Sequence, residues 1–214
     1  MLLNTLSKIL KFIIFKRLQN IIEACNSILN TQMKAHRHRS TDTTLQLITE
    51  KIHIVWSDTR RRVVTLLSLN DESAFNNVMY SRLLHDIKKR KVLRLLLKFV
   101  RDFLKDRHII ITINDYTTTE RSVNVDISQD SSLSLILYLF YNTNLLEVCD
   151  NIKLRTSFTD FINNVNILMY EEFMKRNCKV LDEIYDKCEQ WLKMHDIKFL
   201  KTKHKLIHFI RTFK

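Results

Sequence analysis

The chain has 214 residues, 45% of them apolar, a formal net charge of +12, and neither glycine nor proline. That apolar share fills the core of one ordinary domain or of two packed halves, and no run of about 18 uncharged apolar residues offers a membrane span. The charge favours a polyanionic partner, nucleic acid first, although a merely basic soluble protein carries the same number.

In chain order, apolar residues from Leu2 to Cys25 recur at i, i+3, i+4 spacing and predict a helix. Its first 22 residues carry Lys8, Lys11, Lys16 and Arg17 with no acid, which suits a mitochondrial transit peptide or, the reading taken, a basic surface helix. A polar loop follows over 30–43, then a second helix over 44–56. Residues 58–70 turn basic and then strand-like, and helical spacing returns as one helix over 80–105. Strand-like 108–113 and 122–127 flank a hairpin-like stretch, and the apolar run 132–149 predicts a helix. Strands over 152–158 and 160–170, a helix over 171–195 and a strand over 205–211 complete an α+β order.

Turns must use what the composition supplies. Average usage is about 7% Gly and 5% Pro, so roughly 15 and 11 of them are missing. Coiled coils can omit both only with unbroken heptads, and the strands here interrupt any such pattern. Mutational bias on the gene is the candidate cause. Asn and Asp tolerate positive φ best after Gly, so Asn114-Asp115, Asp126, Asp130, Asn163-Asn164 and Asp196 are expected at bends. Each forced left-handed residue costs about 1 kcal/mol, which leaves a chain of marginal stability. Cys25, Cys149, Cys178 and Cys188 lie far apart without a CxxC, as reduced, buried thiols of an intracellular protein do. His36 and His38 have no second ligand pair and read as a solvated basic loop rather than a metal site.

One stretch carries a resemblance. Asp126-Ile127-Ser128-Gln129-Asp130-Ser131-Ser132-Leu133-Ser134-Leu135 is similar to the G-I-P-Q-G-S-P-L-S-P element of the reverse transcriptase domain of non-LTR (LINE-like) retrotransposons, particularly fungal ones. Both glycines have become Asp, and the prolines Ser, Ser and Leu, each reachable by a C-to-T or G-to-A transition. The likeness runs along nearly the whole chain. Residues 29–41 resemble P-N-T-Q-x-G-x-R-x-x-R-S-T, with Leu29 for Pro and Lys34 for Gly. Residues 69–78 resemble L-D-x-x-x-A-F-D-x-V, with Asn70 and Asn76 in the Asp positions. Residues 161–164 resemble F-x-D-D, with Asn163 and Asn164 replacing both acids, and 195–209 resemble H-G-x-x-F-x-x-x-K-x-E-L-I-H-F.

The resemblance implies the fingers and palm of a right-hand polymerase, with 1–62 fingers-like, 63–214 palm-like and most of the thumb absent. It implies a reaction run by a pair of Mg²⁺ ions on carboxylates, here replaced by Asn70, Asn163 and Asn164, so no cofactor and no catalysis are expected. By strand parity Asp71 and Asp160 should face away from that site, and Glu72 has the right parity but lies about 6–7 Å further on, so one rescue is conceivable and three are not. Phe75 matches the residue below the incoming sugar, Gln129 one lining nucleotide and template, and Lys203 a lysine near the triphosphate. Core packing and a solvated surface position are the plain readings of Phe75 and Lys203. The runs holding Arg60, Arg61 and Arg62, and Lys88, Lys89 and Arg90, could contact an RNA template or DNA primer backbone. A basic nucleic-acid-binding remnant without catalysis is the second reading, and neither reading involves a membrane.

Overall fold

The computed structural model describes residues 5–25, 28–58, 62–72, 75–114, 116–127, 131–150, 155–195 and 197–211. Arg60, Arg61, Asp115, Gln129, Asp130 and Asp196 lie outside the described residues, as do the side chains of Cys25, Glu72 and Cys149.

The elements in order are α1 (Thr5–Cys25), α2 (Thr41–Ser57), β1 (Val63–Glu72), α3 (Tyr80–Lys89), α4 (Arg94–Leu104), the short strands β2 (His108–Ile109), β3 (Thr112–Ile113), β4 (Tyr116–Thr117) and β5 (Arg121–Ser122), α5 (Ser132–Asp150), β6 (Thr156–Phe161), β7 (Asn164–Glu171), α6 (Met174–Met194), β8 (Lys198–Phe199) and β9 (Lys205–Phe209). They form two compact units, each built from two stretches: Met1–Ser27 with Phe75–Tyr141, and Ile28–Ala74 with Asn142–Lys214. No described helix is long and apolar enough to cross a membrane.

In the first unit, α1 buries Ile14, Leu18 and Ile22, while Leu6, Ile9, Leu10, Phe12 and Ile13 stay exposed. The single helix expected over 80–105 is two helices. A continuous helix would carry Leu96 roughly 180° around the axis from Ile87. A break through Lys91, at φ 57°, lets Leu83 and Ile87 of α3 and Leu96, Val100 and Leu104 of α4 all be buried. The strands expected over 108–113 and 122–127 shrink to two-residue pairs, β2 with β5 and β3 with β4, and leave Ile109, Ile110, Ile111 and Ile113 exposed.

The second unit is a sheet in the order β6-β7-β1-β8, with β9 also on β1, every pairing antiparallel. β1 is its axis: Val63–Asn70 pair with β7, Val64–Ser68 with β9, and Asp71–Glu72 with β8. Helix α2 starts at Thr41, earlier than expected, because the Ser40 hydroxyl accepts the Thr43 N–H while the Thr43 hydroxyl accepts the Ser40 N–H. Ile48, Ile52 and Val55 of α2 then pack with Val64, Leu66 and Leu168 of the sheet. Helix α6 is tied to β1 where Asn177 Nδ2 donates to the Val63 carbonyl at 2.8 Å and Thr65 Oγ1 at 2.9 Å. Cys188 is buried in α6 as expected, whereas Cys178 is only half-buried. The solvated basic loop expected over 36–40 holds for exposed Arg37 and His38 but not for His36, which is buried after the 3₁₀ turn Met33–Ala35 with its Nε2 3.2 Å from the Leu29 carbonyl.

Backbone strain falls only partly where expected. Asn114 and Asp126 do have positive φ, but so do His38, Lys91, Asp106, Arg155 and Ile162. Pairing of Phe161 with Asn164 makes Ile162-Asn163 a two-residue turn, whose left-handed residue is Ile162 at φ 64° rather than an Asn.

Candidate functional site

The alternation of β1 and β7 places residues two apart on one face. Asn70 and Asn164 are register partners, so their side chains share that face, and Asn163 precedes Asn164 in the adjoining turn. Asn70 Nδ2 donates to Asn164 Oδ1 at 2.8 Å, and Asn164 Nδ2 donates to Asn163 Oδ1 at 3.2 Å. The backbone fixes the corner from two sides: Asp71 N–H donates to the Asn163 carbonyl at 3.0 Å and Leu200 N–H to that of Asn70 at 2.8 Å. All three asparagines are half-buried.

Tested as a Mg²⁺ site, this corner fails on its donor set. Mg²⁺ selects carboxylate oxygens in near-octahedral geometry. The three side chains are neutral amides, and the Asn164 and Asn163 oxygens already accept hydrogen bonds within the set. Among the described residues, no group of three or more His, Cys, Asp or Glu stands ready to hold a metal. The corner is chemically a chain of three amides joined by two hydrogen bonds.

Asp71 and Asp160 lie on the opposite face, with Leu69, Val165 and Phe158, and both are buried. Asp160 has no exposed surface, and Asn142 Nδ2 donates to its Oδ2 at 3.2 Å. Gln32 also hydrogen-bonds this carboxyl, and Gln32 Oε1 in turn accepts from Thr143 Oγ1 at 2.8 Å. Burial first, and the neighbouring charge of Asp71 second, hold the Asp160 carboxyl well above the usual carboxylate range. This buried polar cluster was missed in the sequence. Its signal was an acid two residues from Phe158 in a strand, on the parity of the core.

The remaining candidates separate. Lys203 is exposed at the end of the 3₁₀ turn Lys201–Lys203, just past the β8 residues that pair beside Asn70. Phe75 belongs to the first unit, where it is buried with its ring 4.9 Å from that of Tyr138 and its carbonyl accepting the Ile127 N–H at 3.0 Å. That is core packing. Arg62 pairs with Asp58 at 3.1 Å and lies over the Tyr170 ring, so its guanidinium is engaged by its own unit. Lys88 and Lys89 are exposed in the last turn of α3, followed by half-buried Arg90 and exposed Lys91 and Arg94.

No protein-family model matches the chain, and no curated protein matches its sequence. Solved structures do. The apo telomerase of Candida tropicalis, truncated from its C-terminal domain, superposes with a TM-score of 0.65 at 10% identity, covering 98% of this chain and 42% of that one. Telomerase of Candida tropicalis in complex with a TWJ fragment of telomeric RNA gives 0.68 at 11% identity, covering 95% of this chain and 34% of its own. The corresponding Candida albicans complex gives 0.65 at 11%, covering 94% and 35%. At such identities the likeness is one of fold, and the chain spans about two fifths or less of the length of these structures.

Proposed function

From a reverse transcriptase-like fold, we propose that the chain is a degenerate reverse transcriptase domain of a non-LTR retrotransposon that no longer transfers nucleotides. The observation carrying this is the amide chain Asn70–Asn164–Asn163 at the corner where the family resemblance calls for metal-binding carboxylates. A pair of Mg²⁺ ions in such enzymes activates the primer hydroxyl and stabilises the charge developing on the transferred phosphate. Neutral amides supply none of the charge that holds those ions, and each oxygen already used within the chain would first have to be freed. The buried acids behind the corner face the wrong way to substitute. Loss of glycines, prolines and the site acids by transitions, while the apolar pattern persists, supports decay of a once-active copy.

Primer extension on a primed RNA template, with Mg²⁺ or Mn²⁺, tests this. The natural chain is expected to give no product above background, and product from it ends the proposal. The Asn70→Asp/Asn163→Asp/Asn164→Asp variant is expected to bind Mn²⁺ more tightly by on the order of tenfold per carboxylate regained, read by titration calorimetry.

A second reading, nucleic-acid binding without turnover, draws on the net charge of +12 and on exposed Lys88 and Lys89. The RNA fragments held by the two telomerase complexes support RNA as the first ligand to try.

A further inference from the structure

The second unit buries two carboxyls on one face of its sheet, Asp160 with no exposure and Asp71 with 3%. Asp160 sits in β6, the edge strand, which is held from outside by residues 31–32: the Asp160 N–H donates to the Thr31 carbonyl at 2.9 Å, and Gln32 bridges to Asp160 in parallel register. One carboxyl oxygen, Oδ2, accepts from Asn142, whereas Oδ1 is buried with no hydrogen-bond partner. A charged carboxylate in that position would leave a desolvated oxygen uncompensated, with a second acid as its charged neighbour. The groups acting on it are Asp71 of β1, Gln32 beside β6 and Asn142 of α5, and no cation is among them.

We propose that a proton resident on Asp160 Oδ1 is a structural component of the second unit, making the fold less stable as pH rises: losing that proton releases edge strand β6 and, with it, the turn that carries Asn163. The inference is independent of whether the chain binds nucleic acid.

The direction follows from linkage. The folded chain retains this proton at pH values where the unfolded chain has released it, so stability is greatest below the ordinary aspartate range and falls as pH rises. For one proton, the folding constant drops by up to about tenfold per pH unit until the folded state also ionises. His204 acts oppositely: burial lowers its pKa below 6.5, so it contributes stability that grows as pH rises toward that value. Subtracting a variant that cannot ionise at 160 removes this and every other background titration.

Urea unfolding of the full chain at intervals from pH 4.5 to 9, compared with Asp160→Asn, is the experiment. The isosteric amide keeps an acceptor for Asn142 and carries no charge. The expected result is a wild-type folding constant that falls with pH relative to the variant, the ratio widening by up to about tenfold per unit. Parallel pH profiles for the two proteins overturn the proposal. Should Asp160→Asn fail to fold, infrared spectroscopy of the wild type decides. A protonated-carboxyl band that persists above the ordinary aspartate range and vanishes together with the sheet signal as pH is raised supports the proposal, and its absence above that range overturns it.

Discussion

Ile162 shows what the missing glycines mean at the scale of one residue. Its Cβ and branched side chain sit at φ 64° in the first position of the two-residue turn between β6 and β7. That is the position of a II′ turn that Gly fills in most hairpins, and a β-branched residue there is a steric outlier. Ile162→Gly is expected to stabilise the chain by about 1 kcal/mol, or to raise Tm by about 2–4 °C, read in a thermal melt. An unchanged or lower Tm would mean that the half-buried Ile side chain gives back what the backbone gains. Asn114 and Asp126 were legible as bends because their side chains advertise tolerance of positive φ. Ile162 and Lys91 were not, since nothing in an Ile or Lys signals a turn. Register and core phase put them there.

At the scale of elements, α2 carries its own start signal. Ser40 and Thr43 exchange hydrogen bonds at 3.2 and 3.3 Å and satisfy two N–H groups that a bare helix end would leave open. Ser40→Ala is expected to cost about 1 kcal/mol, seen as a lower urea midpoint at unchanged slope. The cap explains why the helix begins before its first buried apolar residue, ahead of the start that periodicity alone gives. Periodicity located both long helices that flank the sheet, because each buries one regular face, and it marked β1 and β9, although the strand expected over 160–170 is the end of β6, a turn and β7. It failed between α3 and α4, where the same apolar spacing changes phase, and over residues 108–122, where an apolar run stays at the surface. The amide corner was legible residue by residue through its motif. The Asp160 cluster was not, since its partners Gln32 and Asn142 meet it only through the fold.

On the scale of the whole molecule, a positive charge of 12 on 214 residues is an electrostatic statement, silent on fold. If the chain binds RNA through exposed Lys88 and Lys89, affinity must fall with salt, and Lys88→Ala/Lys89→Ala should flatten the log–log slope by about 1 for each phosphate that no longer meets a lysine. Fluorescence anisotropy of a labelled RNA across a salt series measures this, and no binding at low salt would remove the reading. The expected boundary between 62 and 63 follows chain order, while compactness joins 1–27 to 75–141 and 28–74 to 142–214. Those two divisions answer different questions, since a sequence shows where patterns change but not which stretches come back together.

The short strands of the first unit carry a consequence for the lifetime of the protein. Ile109, Ile110, Ile111 and Ile113 face solvent in and beside two-stranded pairs with open edges, and an open edge with apolar side chains is a template for another strand. Two such edges meeting is a second-order event, so the useful life of a sample is governed by how often molecules collide. Dilution should therefore preserve this protein, and inside a cell its survival would depend on how few copies are made.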